Sequence, residues 1–269
     1  MEWRANVAAQ KRVRSVSEMV QLGTPDARFE AYLATPDRPA SEVKGAIIVI
    51  HEVWGLVDHI KTIADRYAAE GYVALAPDLM GTLGVSAEQA ATLQVQLFAA
   101  DPEERSAAQP VLRELMAPIA VPEFAATAIT KLVQCVDYLE QLDGVDGRIG
   151  VTGFCFGGSY AFSLAVADTR VRASAPFYGY ANFTNELLAE ISCPVLYFVG
   201  EDDTNLFSAL PALTEQMSQS GVEFDAVTYP GAGHAFFNDT NPHAYRADAA
   251  ADSWQRSLEF FAANIATAG

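Results

Sequence analysis

A cysteine flanked by glycines stands where one apolar run ends and another begins. Gly153-Phe154-Cys155-Phe156-Gly157 reads G-x-C-x-G. Between a strand and a helix, this is the cysteine form of the G-x-S-x-G turn, which lifts a nucleophile on a strained backbone. Glycine neighbours let strand and helix approach closely. The following helix would aim its N-terminus at the sulfur, favouring thiolate and offering the Phe156 N–H to an oxyanion. The competing readings are a buried packing cysteine and a dinucleotide phosphate turn. The glycines at Gly150, Gly153, Gly157 and Gly158 do not give the G-x-G-x-x-G spacing of the latter. Cys135, on or beside the apolar face of a helix, and Cys193, before Pro194, are expected to be inert packing residues.

Sites built on such a turn order their residues as nucleophile, acid, histidine. Downstream of Cys155 stand His234 and His243. His234 lies in Gly231-Ala232-Gly233-His234, a flexible loop after an apolar strand and the place for a base. His243 follows Asn241-Pro242 and reads as a solvated or capping residue. The acid is expected in Gly200-Glu201-Asp202-Asp203, where Asp203 fits a G-x-x-D spacing and Asp202 is the alternative. A carboxylate there would fix the imidazole tautomer and stabilise imidazolium. His51-Glu52-Val53-Trp54-Gly55 closes another apolar run, where a second oxyanion donor belongs. Zinc binding through H-E-x-x-H is rejected, because Gly55 stands where the second histidine is needed, so no metal and no cofactor are expected.

The elements that must carry these residues follow from the apolar pattern. Strand-like runs at Ser15–Leu22 and Phe29–Thr35 flank turn residues Gly23 to Asp26, an antiparallel start. Strands are expected at Gly45–Ile50, Tyr72–Ala76, Arg148–Thr152, Val171–Phe177, Val195–Val199 and Phe224–Thr228. Helices are expected at Asp58–Glu70, Ala125–Gln141, from Gly157 or Gly158 to Ala167, at Phe207–Ser220 and at Ala244–Ala263. Repeated βα units predict an α/β fold with a mostly parallel central sheet and helices on both faces. Chemistry in such sheets sits at the carboxyl ends of the strands. Residues 80–124 break the alternation, with helices expected at Ala87–Phe98 and Glu103–Met116, and read as a cap-like excursion within a single domain spanning 1–269.

With 269 residues, 51% of them hydrophobic and 19% charged, the chain can bury a core without staples. Three scattered cysteines form no disulfide framework. No signal peptide or membrane span is read in the sequence, so a cytoplasmic protein is expected, monomeric or a small homo-oligomer. A net charge of -17 disfavours nucleic acid and anionic lipid as partners.

Assembled, these residues resemble the dienelactone hydrolase (carboxymethylenebutenolidase) family of the α/β-hydrolase superfamily. The matching text is His51-Glu52-Val53-Trp54-Gly55-Leu56, Gly71-Tyr72-Val73-Ala74-Leu75-Ala76-Pro77-Asp78-Leu79, Gly153-Phe154-Cys155-Phe156-Gly157-Gly158 and Gly231-Ala232-Gly233-His234-Ala235-Phe236. Tyr245, Ala250, Trp254 and Arg256 add the family's C-terminal helix pattern, and the likeness runs from about Phe29 to Ala263. The resemblance implies a triad of Cys155, His234 and Asp203. It implies an active-site glutamate at Glu52 that contacts the thiol and helps deprotonate it. The oxyanion donors become the amides of Val53 and Phe156.

Two arginines that hold a substrate carboxylate in that family are replaced here by Thr82 and Asn238. Trp54, Tyr178, Phe236 and these two positions are the expected substrate contacts. The resemblance therefore implies a small-molecule ester or lactone as partner, neutral and hydrophobic or aryl rather than carboxylated. The alternatives are a non-catalytic ligand-binding member of the fold and an acyltransferase using the same cysteine.

Overall fold

Five consecutive apolar side chains from Ala46 to Ile50 are all buried. That pattern requires cover on both faces and places this strand inside the sheet. The computed structural model describes residues 15–81 and 101–265, with residues 89, 92, 93, 95 and 96 between them. Its strands are β1 (Ser15–Thr24), β2 (Ala27–Pro36), β3 (Ala46–Ile50), β4 (Val73–Pro77), β5 (Ile149–Phe154), β6 (Val171–Phe177), β7 (Val195–Gly200) and β8 (Phe224–Tyr229). They form one eight-stranded sheet in the order β1-β2-β4-β3-β5-β6-β7-β8. β1, β2 and β4 pair antiparallel, and every pairing from β4 to β8 is parallel. This is the α/β architecture expected from the alternation, including its antiparallel start.

The hairpin turns tightly, pairing Thr24 with Ala27, and Gly23 takes φ 92 beside it. Helix α1 (Asp58–Glu70) stops at Gly71, whose φ of 103 is the left-handed cap conformation that favours glycine. Helix α2 (Pro102–Met116) is capped by the Asp101 side chain, which accepts from the Glu103 N–H at 2.9 Å. The longer helix α3 (Pro122–Glu140) begins on its proline. It lies on one face of the sheet with α4 (Phe156–Ala167). Ring contacts of Tyr67 with Trp254 and Phe261 join α1 to the C-terminal helix α7 (Ala247–Asn264). Between β6 and β8 lie the short α5 (Asn185–Leu188) and α6 (Thr204–Gln219).

Several boundaries depart from the sequence expectation, each for a local reason. Helix α4 begins at Phe156, directly after the cysteine, because Cys155 itself makes the turn. Helix α6 starts at Thr204, three residues early, since the Phe207 N–H already donates to the Asp203 carbonyl. Helix α7 starts late, at Ala247, because the Asn241 side chain accepts from the His243 and Ala244 N–H groups and holds a separate turn. The expected helix at Ala87–Phe98 falls largely outside the described residues, though 89, 92, 93, 95 and 96 are helical.

Candidate active site

The turn at Cys155 is held by backbone bonds and by close glycine packing. Cys155 has φ 56 and ψ −113, a conformation costing an L-residue of order 1–3 kcal/mol. Its N–H donates to the Phe177 carbonyl at 3.1 Å, and its carbonyl accepts from Ser159 at 3.2 Å. The flanking glycines are required by contact. A Cβ on Gly153 would stand 2.1 Å from the Gly157 carbonyl oxygen, and one on Gly157 2.2 Å from that of Ile50. Cys155 is half-buried at the N-terminus of α4. Among the described residues, neither the Phe156 nor the Val53 amide finds a backbone acceptor. Cys135 and Cys193 are buried. Burial pushes both thiols up, Cys193 to about 12, away from the reactive thiolate.

His234 follows β8 and Asp203 follows β7, adjacent strands whose ends bring the two together. Asp203 Oδ2 lies 2.6 Å from His234 Nδ1, with the Asp203 side chain 10% exposed. Asp202 is exposed, and among the described residues its N–H donates to the Ala232 carbonyl and its side chain has no hydrogen-bond or ion-pair partner. Glu201 takes the Thr228 hydroxyl at 3.0 Å. Of the acidic triplet, Asp203 is the one that meets the imidazole. Burial pulls the His234 imidazole down, but the Asp203 hydrogen bond and the adjacent Cys155 outweigh it and push it up to about 10. His243 is exposed, as the His234 side chain is at 43%.

The segment after β3 supplies the other side of the site. His51 Nε2 accepts the Leu79 N–H at 3.0 Å, so the ring proton sits on Nδ1 and is donated to the Glu52 carbonyl at 2.6 Å. Burial pushes His51 down, and its ring stacks on Phe156 at 5.7 Å. A neutral histidine thus braces the Glu52–Val53 segment against both the end of β4 and the Cys155 turn. The sequence reading considered this residue only as a metal ligand. Among the described residues, no group of three or more His, Cys, Asp or Glu side chains could hold a metal ion.

Glu52 is buried, and its Oε2 accepts from Asn238 Nδ2 at 2.5 Å. Burial pushes its carboxyl up, while the His59 and His234 charges and the Asn238 amide pull it back. Tyr178, at φ 38 and fully buried, sets its ring 5.2 Å from that of His234. Its hydroxyl and the Glu52 carboxyl each shift the other's ionisation, and among the described residues Tyr178 Oη and Glu52 Oε1 have no hydrogen-bond partner.

The expected substrate contacts are placed differently. Asn238 is fully buried, its amide spent on Glu52 and its carbonyl on the Thr240 N–H and hydroxyl. It braces the glutamate instead of presenting a free amide to a ligand. Phe236 is buried among Phe177, Tyr178 and Tyr229. Trp54 is buried as well. Thr82 lies outside the described residues. The sequence reading also missed His59, which is buried on α1 and bonded through Nδ1 to Asp239 Oδ1 at 3.0 Å. No local signal marks that pair, whose members stand 180 positions apart.

A mostly parallel sheet with a strained, glycine-flanked turn after β5, a carboxylate after β7 and a histidine after β8 has the layout of an α/β-hydrolase. The sequence profile of the dienelactone hydrolase family matches residues 29–265. The "Putative carboxymethylenebutenolidase" of Saccharolobus solfataricus is 33% identical over 249 residues, 87% of this chain and 93% of that one. A solved "Putative Dienelactone Hydrolase" from Klebsiella pneumoniae subsp. pneumoniae superposes with TM-score 0.76 at 23% identity, covering 93% of this chain and 99% of that one. The dienelactone hydrolase of Anabaena variabilis covers the same shares with TM-score 0.65 at 18% identity. The chain belongs to the dienelactone hydrolase family, a family of carboxylic ester hydrolases.

Proposed function

We propose that this protein hydrolyses neutral, hydrophobic or aryl esters and lactones through a thioester on Cys155. The observation that carries the reading is the Cys155 turn beside an imidazole held by Asp203 at 2.6 Å.

The Cys155 proton has two places to go, the His234 imidazole and the Glu52 carboxylate. With it removed, the thiolate attacks the carbonyl carbon. The Val53 and Phe156 amides receive the oxyanion, each donor worth about 3–4 kcal/mol in sites of this kind. Collapse breaks the ester C–O bond, and the departing oxygen takes a proton from His234. The imidazole, now neutral and oriented by Asp203, removes a proton from water as the oxygen adds to the thioester. Departure of the thiolate frees the acid and restores the starting pair.

Substrate charge follows from the surroundings. Asn238 has no charge to offer and is already committed to Glu52, and the chain carries a net charge of -17. A carboxylated substrate would lose hydration without a cation in return.

The test is acylation with an aryl ester followed by acid quench and peptide mass mapping. The acyl adduct belongs on Cys155, and iodoacetamide that alkylates Cys155 should abolish turnover. An adduct elsewhere, or full turnover after stoichiometric alkylation of Cys155, overturns the reading.

A further inference from the structure

Lysine is almost never fully buried unless its charge is paired. Lys131, on α3, is only 6% exposed. Its Nζ reaches two backbone carbonyls, Asp78 at 3.4 Å and Leu79 at 3.5 Å, both at the long limit of a hydrogen bond. Among the described residues no carboxylate stands within ion-pair distance of it. Asp78 spends its own Oδ1 on the Met80 and Gly81 N–H groups at 2.9 and 2.8 Å. The Phe29 ring lies 5.4 Å from Nζ.

This side chain borders a cavity of about 200 Å³, lined by Arg28, Phe29, Glu30, Asp78, Gly81 and Lys131. The cavity forms where the start of β2 meets the end of β4. Ala31 pairs with Pro77, and the Asp78 N–H donates to the Glu30 carbonyl at 2.8 Å. Arg28 is exposed, and among the described residues it too forms no ion pair. The place is separate from the Cys155 turn. β3 stands between β4 and β5 in the sheet, so Cys155 lies roughly 10 Å further along, at the usual spacing of strands.

We propose that this cavity is a second binding site, for a small monocarboxylate held between Lys131 Nζ and the Arg28 guanidinium with its apolar body against Phe29. Lysine is ordinarily an ammonium ion at neutral pH, and a ligand carboxylate supplies the partner that the fold withholds. The volume falls below the roughly 300–1,000 Å³ of sites for larger ligands, which selects a small acid. Glu30 and Asp78 flank the same space and repel a second negative charge, so a monocarboxylate is preferred to a phosphate dianion. Acids of this kind are what a carboxylic ester hydrolase releases. The site does not depend on how Cys155 acts.

Benzoate is the probe, titrated into the isotope-labelled protein and followed through its backbone amide NMR signals. Those of Phe29, Asp78 and Gly81 should move together and saturate, with Kd on the order of millimolar for so small a ligand. Lys131→Met keeps the aliphatic stem and removes the charge, and it should weaken this binding by about tenfold or more. Arg28→Gln, at an exposed side chain, should weaken it by about threefold, and it carries the test alone if Lys131→Met fails to fold. Inorganic phosphate at equal ionic strength should bind more weakly than benzoate. Shifts confined to residues around Cys155 and His234, unchanged affinity in either variant, or tighter binding of phosphate overturns the proposal.

Discussion

Asn238 Nδ2 donates to Glu52 Oε2 at 2.5 Å, joining side chains 186 positions apart. The bond ties the segment that carries His234 to the segment that carries Val53. Removing the amide would leave a fully buried carboxyl with no donor, a loss of about 1–3 kcal/mol. Asn238→Ala should lower Tm by several degrees in calorimetry, with acylation slowed more than deacylation. Unchanged Tm would mean that water or another donor takes the amide's place.

The contact between Asp203 and His234 ranks the acidic residues. Asp203→Asn should reduce kcat by about 1000-fold or more, because it removes the acceptor that fixes the imidazole tautomer. Asp202→Asn, at an exposed side chain, should stay within about twofold. Cys155→Ala combined with His234→Ala should be little worse than either alone, since residues of one catalytic unit fail together. Steady-state kinetics on purified, folded variants decides both points.

The raised His234 ionisation, about 10 against an ordinary value near 6.5, fixes a direction for pH effects. A proton bound more tightly in the folded state stabilises it. That contribution is fully present below about 6.5 and is lost as pH climbs through about 10. Urea unfolding of wild type and His234→Gln should therefore show a stability gap at pH 7 that closes toward pH 10.5. The imidazole edge is 43% exposed, so solvent screening keeps the gap modest. The alkaline limb of kcat/KM should fall in the same range, as the leaving group loses its proton donor.

Substrate charge gives the fourth test. Neutral aryl esters should exceed carboxylated dienelactones in kcat/KM by at least about tenfold, or ~1.4 kcal/mol. Added salt should narrow the difference slightly by screening. Arg113, exposed on α2, offers a cation from the 80–124 region; a wild-type preference for the carboxylated lactone would mean that such a charge reaches the site.

What the sequence by itself determined is whatever short-range chemistry writes. Apolar runs of strand length, helical periodicity broken at Gly71, and paired glycines around Cys155 named the α/β sheet, its antiparallel start and the sharp turn at Cys155. Chain order then put His234 and the Gly200–Asp203 loop at strand ends. Tertiary structure decided what depends on aim. Asp203 and Asp202 are adjacent in the chain, yet only one faces the imidazole, because the backbone after β7 turns into α6 at that residue. The same holds for His51, whose two ring nitrogens are spent on backbone groups of β3 and β4 ends. In the sequence Asn238 stands out only as a replaced arginine and expected substrate contact, and Asp239 not at all. Folding sets them against Glu52 and His59, 186 and 180 positions away. Local pattern carries no record of such pairings, because the energy that selects them comes from burying polar groups together, and burial exists only once the sheet has closed.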